Sequence, residues 1–153
     1  MLHSGRADKF FYAGEHTLKS ALEWSDKTSY IGGAFLGDDL IGLGFAQDLL
    51  HFDTDDGVII KATIGFGFLP GPNIFQCVKA GRQIVTDCFS TTPIDHMFGT
   101  TPDKNREALA YIKRIGFQIY GPIPNYCMYN GEYTGAYKSH ISRKEWLLKN
   151  NNS

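Results

Sequence analysis

Asp95 and His96, adjacent in the chain, and the tyrosines Tyr126, Tyr129 and Tyr133 near its carboxyl end are the residues best suited to move protons. A carboxylate or neutral imidazole takes a proton from an attacking nucleophile, and a phenol returns one to a leaving group. Together the two sets offer general acid–base chemistry. His51 and Asp53 form a second pair of candidate bases. Each residue also has a plainer reading: a strand tyrosine packs against its neighbours with its hydroxyl satisfied, and a lone histidine serves as a hydrogen-bonded structural residue.

Metal and thiol chemistry find less support. Cysteines and histidines never fall at the short paired spacings of a zinc site, so no metal is expected. The run Asp53 to Gly57 lacks the length and the distal glutamate of a calcium loop and reads as a solvated turn. Cys77, Cys88 and Cys127 are odd in number and widely spaced, which suits free thiols in a reducing compartment and implies a cytoplasmic location. Cys77 and Cys88 fall on an apolar helical stripe and read as inert core thiols. Gly65-x-Gly67-x-x-x-Gly71, with Asp87 further on, invites a dinucleotide reading, but its spacing is one residue too long and Pro70 and Pro72 intrude. Gly65 and Gly67 instead suit a bulge or the close approach of a neighbour. Arg82, Arg106, Lys113 and Arg114 form either a small basic face or ordinary solvated helix surface.

These residues need a scaffold, and 153 residues suffice for one domain that buries its core without disulfide or metal staples. A formal charge of -1 gives no broad basic field to hold nucleic acid or an anionic membrane. No segment approaches the roughly 20 apolar residues of a membrane span, and the first residues lack the apolar core of a leader. Residues 1–148 read as a single domain and 149–153, rich in Asn, as a flexible tail.

Hydrophobic period orders the elements. Asp8 to Ala13 reads as a strand and Glu15 to Trp24 as a helix. Two glycine-bearing apolar segments, SYIGGAFL and LIGLGFAQ, flank Gly37, Asp38 and Asp39 and predict a hairpin. LLHFDTDD reads as a connection, and Gly57 to Leu69 as a long central strand rich in β-branched residues. After Pro70-Gly71-Pro72 the period changes: Ile74, Cys77, Val78, Gly81, Ile84, Val85 and Cys88 predict a helix starting within about two residues of Asn73. Ile94 to Gly99 predicts a short strand. A second helix is expected from a Thr101 cap with Pro102 in its first turn, burying Ala108, Tyr111, Ile112 and Ile115 and ending at Gly116. FQIYG and NYCMYNGEYTGAYK read as two closing strands. Ser142 and Glu145 have capping-box spacing for a terminal helix.

Within this order the segment Thr100 to Phe117, TTPDKNREALAYIKRIGF, carries Asn105, Ala108, Gly116 and Phe117 in the register Asn-x-x-Ala followed by Gly-Phe. It resembles the acyl-CoA-binding end of the GNAT N-acyltransferases, and the element order resembles that family's fold. The resemblance implies an α/β (α+β) fold with a mixed, mostly antiparallel sheet flanked by helices. It also implies transfer of an acetyl group from acetyl-CoA to an amine, whether a small amine or a protein lysine. Coenzyme would then contact Phe68, Leu69, Asn73, Ile74, Phe75 and Asn105, with Asp95 or His96 as base and Tyr126 or Tyr129 as acid. The tyrosine that often serves the family as acid falls here at Ile112, while Tyr111 is one residue early and about 100° round the helix. The family's glycine-rich loop is replaced by GPNIFQ, so turnover is expected to be slow. Asn105, early in its helix, is expected to face outward and to matter more to coenzyme affinity than to stability. In length the chain is also similar to a family of tailed-phage proteins, some labelled head-assembly proteins, which would place it in a host cytoplasm. A catalytically silent module that binds a protein partner and a small-ligand-binding protein are the competing readings.

Overall fold

The computed structural model describes residues 28–151; the strand and helix expected at Asp8 to Ala13 and Glu15 to Trp24 lie outside them. Six strands form one sheet in the order β1-β2-β3-β4-β6-β5. In chain order they are β1 (Thr28–Leu36), β2 (Asp39–Thr54), β3 (Gly57–Phe68), β4 (His96–Pro102), β5 (Gln118–Tyr129) and β6 (Glu132–Ser142). Helix α1 (Ile74–Thr91) joins β3 to β4, α2 (Arg106–Ile115) joins β4 to β5, and α3 (Arg143–Asn151) follows β6. All pairings are antiparallel except β3 with β4.

Gly37, at φ 63°, turns β1 into β2 as its glycine signal predicts. Beyond this hairpin β2 departs from expectation. LLHFDTDD is not a connection: β2 continues to Thr54, and the turn is only Asp55-Asp56, with His51 opposite Ile60 and Asp53 opposite Val58. This outer stretch is exposed from Leu50 through Val58, so no buried face imposed an alternating pattern on its sequence. The last hairpin is also redrawn. FQIYG and NYCMY belong to one strand, β5, and Asn130-Gly131, both at positive φ, turns it into β6.

Small residues on β2 let α1 lie close to the sheet: a Cβ on Gly44 would come within 2.4 Å of Ile84. Tyr30 on β1 reaches up and donates to the carboxylate of Asp87 on α1 at 2.6 Å, so Asp87 ties the helix to β1. A Cβ on Gly65 would meet the Phe45 ring at 2.2 Å, the close approach its glycine suggested. Ile84, Val85, Cys88 and Phe89 on α1 and Tyr111 and Ile115 on α2 join Met97 and Ile141 of the sheet in one core. Burial raises the Cys88 thiol to about 11, which removes it as a nucleophile near neutral pH. Trp146 closes the core end, its indole N–H donating to Thr86 Oγ1 at 3.0 Å. Ser142 accepts from the Glu145 N–H at 3.1 Å and caps α3, which continues through residues 149–151.

Candidate active site

β3 and β4 run side by side over only three residue pairs, Lys61 with His96, Ala62 with Met97 and Thr63 with Phe98. Asp95 extends this joint at its start: its N–H donates to the Ile60 carbonyl at 2.8 Å, and its carboxylate accepts from the Ile60 N–H at 2.9 Å. Past Thr63 the strands part. β3 runs on to Phe68 beside β2, and β4 runs on to Pro102 beside β6. Ile60 directs its backbone groups toward β4, and these directions alternate along a strand, so Phe66 and Phe68 direct theirs into the opening wedge. The Leu69 N–H turns back to the Ile41 carbonyl at 2.8 Å. A chain of amides laid in this wedge would find donors and acceptors at strand spacing.

Helix α1 begins at the wide end of the wedge. Asn73 is its N-cap and forms a full capping box: Asn73 Oδ1 accepts from the Gln76 N–H and Gln76 Oε1 from the Asn73 N–H, both at 3.0 Å. The Cys77 N–H donates to the Asn73 carbonyl. Of the four donors that a helix start leaves unmatched, Ile74 and Phe75 therefore keep theirs for an incoming group. Phe75 is 77% exposed beside them.

Asn105 starts α2, and here the expectation is corrected twice. The cap is Asn105 and not Thr101, because β4 continues through Pro102, which pairs with Ala136. Asn105 is also buried rather than outward-facing, with Oδ1 accepting from the Ala108 N–H at 3.2 Å. Asn105→Ala is accordingly expected to lower unfolding free energy by about 1 kcal/mol, the usual worth of such a cap, read from a denaturant midpoint. An unchanged midpoint would refute it. Nearly two turns on, Tyr111 is buried, its ring edge-on to Phe68 at 4.9 Å and Phe66 at 5.7 Å between centroids. Its hydroxyl has no hydrogen-bond partner, and burial pushes its pKa well above the usual tyrosine range. Ile112 is half-buried against the core.

The sheet face turned away from α1 and α2 carries a group that sequence reading found only in part. His96, Phe98 and Thr100 alternate along β4, and His140 and Lys138 stand opposite Phe98 and Thr100 on β6. His96 Nδ1 and His140 Nε2 are 2.9 Å apart, so one ring donates to the other. The Phe98 and His140 rings stack at 4.7 Å. Lys138 Nζ donates to Thr100 Oγ1 at 2.7 Å and lies 4.6 Å from the Tyr126 ring centre; Lys61 Nζ lies 5.6 Å from that of Phe98. Burial, then the neighbouring His96, depress the His140 pKa; Lys61 adds to this and Glu145 opposes it. Below the ordinary histidine pKa of about 6.5 the unfolded chain takes up a proton that folded His140 resists. Stability should therefore fall as pH drops through that value and level off only below the depressed one. His140→Gln is expected to flatten this part of a melting-temperature profile, and an unaltered slope would count against the assignment.

The remaining candidates scatter. Asp95 stands at the closed end of the joint, with Ile60 on its carboxylate and Arg143 Nε 3.9 Å away. Tyr126 is exposed beside Lys138, Tyr129 is buried where the β5–β6 hairpin turns, and Tyr133 is exposed on β6. His51 and Asp53 occupy the far end of β2, opposite the start of β3 and away from the wedge. Arg82 reaches the Arg114 carbonyl at 3.0 Å and ties α1 to α2. Among the described residues no cluster of His, Cys, Asp or Glu could hold a metal, and no helix is long and apolar enough to cross a membrane.

A mixed sheet that splays at its one parallel joint, with helices following both splayed strands, defines the GNAT fold, and this chain has it. The structure is similar to spermidine N-acetyltransferase from Vibrio cholerae in complex with CoA and spermine, with a TM-score of 0.73 and 14% identity over 95% of this chain and 88% of that one. It is also similar to a GNAT-family acetyltransferase from Bacillus anthracis, with a TM-score of 0.68 and 16% identity over 92% and 84% of the two chains. No protein-family model and no curated protein matches the sequence.

Proposed function

We propose that the protein is an N-acyltransferase that moves an acetyl group from acetyl-CoA to an amine. The observation that carries this reading is the wedge between β3 and β4, whose pairing stops at Thr63 and Phe98, so that by strand alternation Phe66 and Phe68 direct backbone groups away from β2. The pantetheine arm of CoA bears amides that would complete these edges, and its phosphates would meet the free N–H groups of Ile74 and Phe75. Bound acetyl-CoA supplies an acyl group activated as a thioester. The chain's own residues would hold the arm extended and move protons. His96, bonded to His140, is the base best placed to take a proton from the acceptor, while the only phenol on the same face among the described candidates, Tyr126, is exposed and would be a weakly positioned acid, so turnover would be slow. Calorimetric titration with acetyl-CoA and CoA tests the reading. Saturable binding that weakens in Phe75→Ala, where an exposed contact at the helix start is lost, is the expected result; no heat with either ligand overturns it.

A second reading is a catalytically silent module on the same fold that binds a protein partner, as in phage head assembly. Two observations favour it: the α1 capping box uses half of the helix-start donors internally, and Ile112 occupies the position of the family's acid. Failure to bind CoA would favour it.

A further inference from the structure

The face beside the wedge is built of cations and rings. Lys61 stands where β3 and β4 are still paired, and Lys138 stands opposite Thr100, where β4 has already left β3. Between them lie Phe98, His140 and His96, stacked ring against ring. Lys61 Nζ is also 4.8 Å from the Phe52 ring centre, so both ammonium groups rest over aromatic faces. Among the described residues neither lysine is bridged to a carboxylate. The acids that act nearby are otherwise directed: Asp103 accepts from the Thr134 hydroxyl at 2.5 Å, and Glu145 acts on His140 from α3.

Two half-buried ammonium groups with no counterion among the described residues repel a polycation and attract an anion, and partial burial reduces the screening that would otherwise mask either effect. Both lysines still have N–H donors for a carboxylate or phosphate, and such charge-assisted bonds are stronger than neutral ones. We propose that this face binds an amine that also carries an anionic group, such as an amino acid with a free carboxylate, and does not accept a polyamine of the kind named for its structural neighbour. The inference rests on the acyltransferase reading for the amine as acceptor. The anion site itself rests on Lys61 and Lys138 alone.

The test measures binding and acetylation of phenylalanine and alanine, of their carboxamides, and of spermidine, by the native chain and by Lys61→Gln, Lys138→Gln and the two Lys→Arg variants. The free amino acids are expected to exceed the carboxamides and spermidine roughly tenfold or more, with each Gln variant losing that margin and each Arg variant keeping most of it. Thermal melting of each variant separates loss of the site from loss of the fold. Equal or better use of spermidine, while CoA still binds, overturns the anion site and leaves the transferase reading intact. Carboxylate binding that the Gln variants abolish, in a chain that does not bind CoA, keeps the anion site and removes the transferase reading. No binding of any amino acid overturns the proposal.

Discussion

Arg143→Ala is expected to lower unfolding free energy by about 3 kcal/mol, the largest stability loss predicted here for a polar residue. Helix α1 ends at Thr91, and the Phe89 carbonyl would ordinarily accept from residue 93, which is proline and has no N–H. The Arg143 guanidinium fills that place, donating to the carbonyls of Phe89, Thr92 and Ile94, with its Cζ 5.4 Å from the Phe89 ring centre. Removal leaves partly buried acceptors without donors, which costs more than the bonds contributed. Arg143→Lys should recover only part of the loss, because one ammonium cannot reproduce a planar fork spread over several acceptors. Urea midpoints of the three chains decide it. An Ala variant as stable as the native chain would show that water serves these carbonyls equally well.

The largest expected effect on activity is a gain. If the protein transfers acyl groups as proposed, Ile112→Tyr should raise kcat roughly 10²-fold or more while leaving KM nearly unchanged, since a positioned general acid contributes on that order. Tyr111 cannot supply the proton: it is buried against Phe66 and Phe68, and its pKa is raised by burial. Position 112 points about 100° away and is only half-buried, so a phenol there can leave the core at a stability cost of roughly 1–3 kcal/mol for disturbed packing. Single-turnover rates with acetyl-CoA provide the readout. An unchanged rate with coenzyme bound would show that the native chain already has its acid, with Tyr126 the first to replace by Phe.

Much of the fold was legible because local rules and global packing agreed. The start of α1 was placed correctly since Pro70-Gly71-Pro72 ends one period and Ile74, Cys77 and Val78 open another. The outer half of β2 was missed because its residues face solvent, where nothing enforces alternation. At α2 the sequence suggests Thr101 as the cap, but Pro102 pairs within β4 and moves the helix start to Asn105. The Asn130-Gly131 turn was visible in the sequence but was read through as strand. Of the candidate site, Asn73 and His96 could be named from sequence, whereas Lys61, Lys138 and His140 could not. They lie on strands brought together by crossovers, so their only signal was a shared parity along β3 and β6. Arg143 likewise gave no sign, since its purpose depends on a proline fifty residues earlier.

The three-pair joint also bears on how the sheet assembles and breathes. β1, β2 and β3 form a meander of neighbours, and β5 with β6 forms a hairpin, so each side of the joint contains strands paired close in sequence, although β4 joins β6 over a longer separation. The parallel rungs between β3 and β4 close a loop that includes all of α1, and they form against a greater entropy cost than the rungs of any hairpin in the sheet. This seam is also the shortest run of hydrogen-bonded rungs between neighbouring strands of the described sheet. If the wedge takes an extended ligand as proposed, so short a seam would let it widen at the cost of few sheet hydrogen bonds.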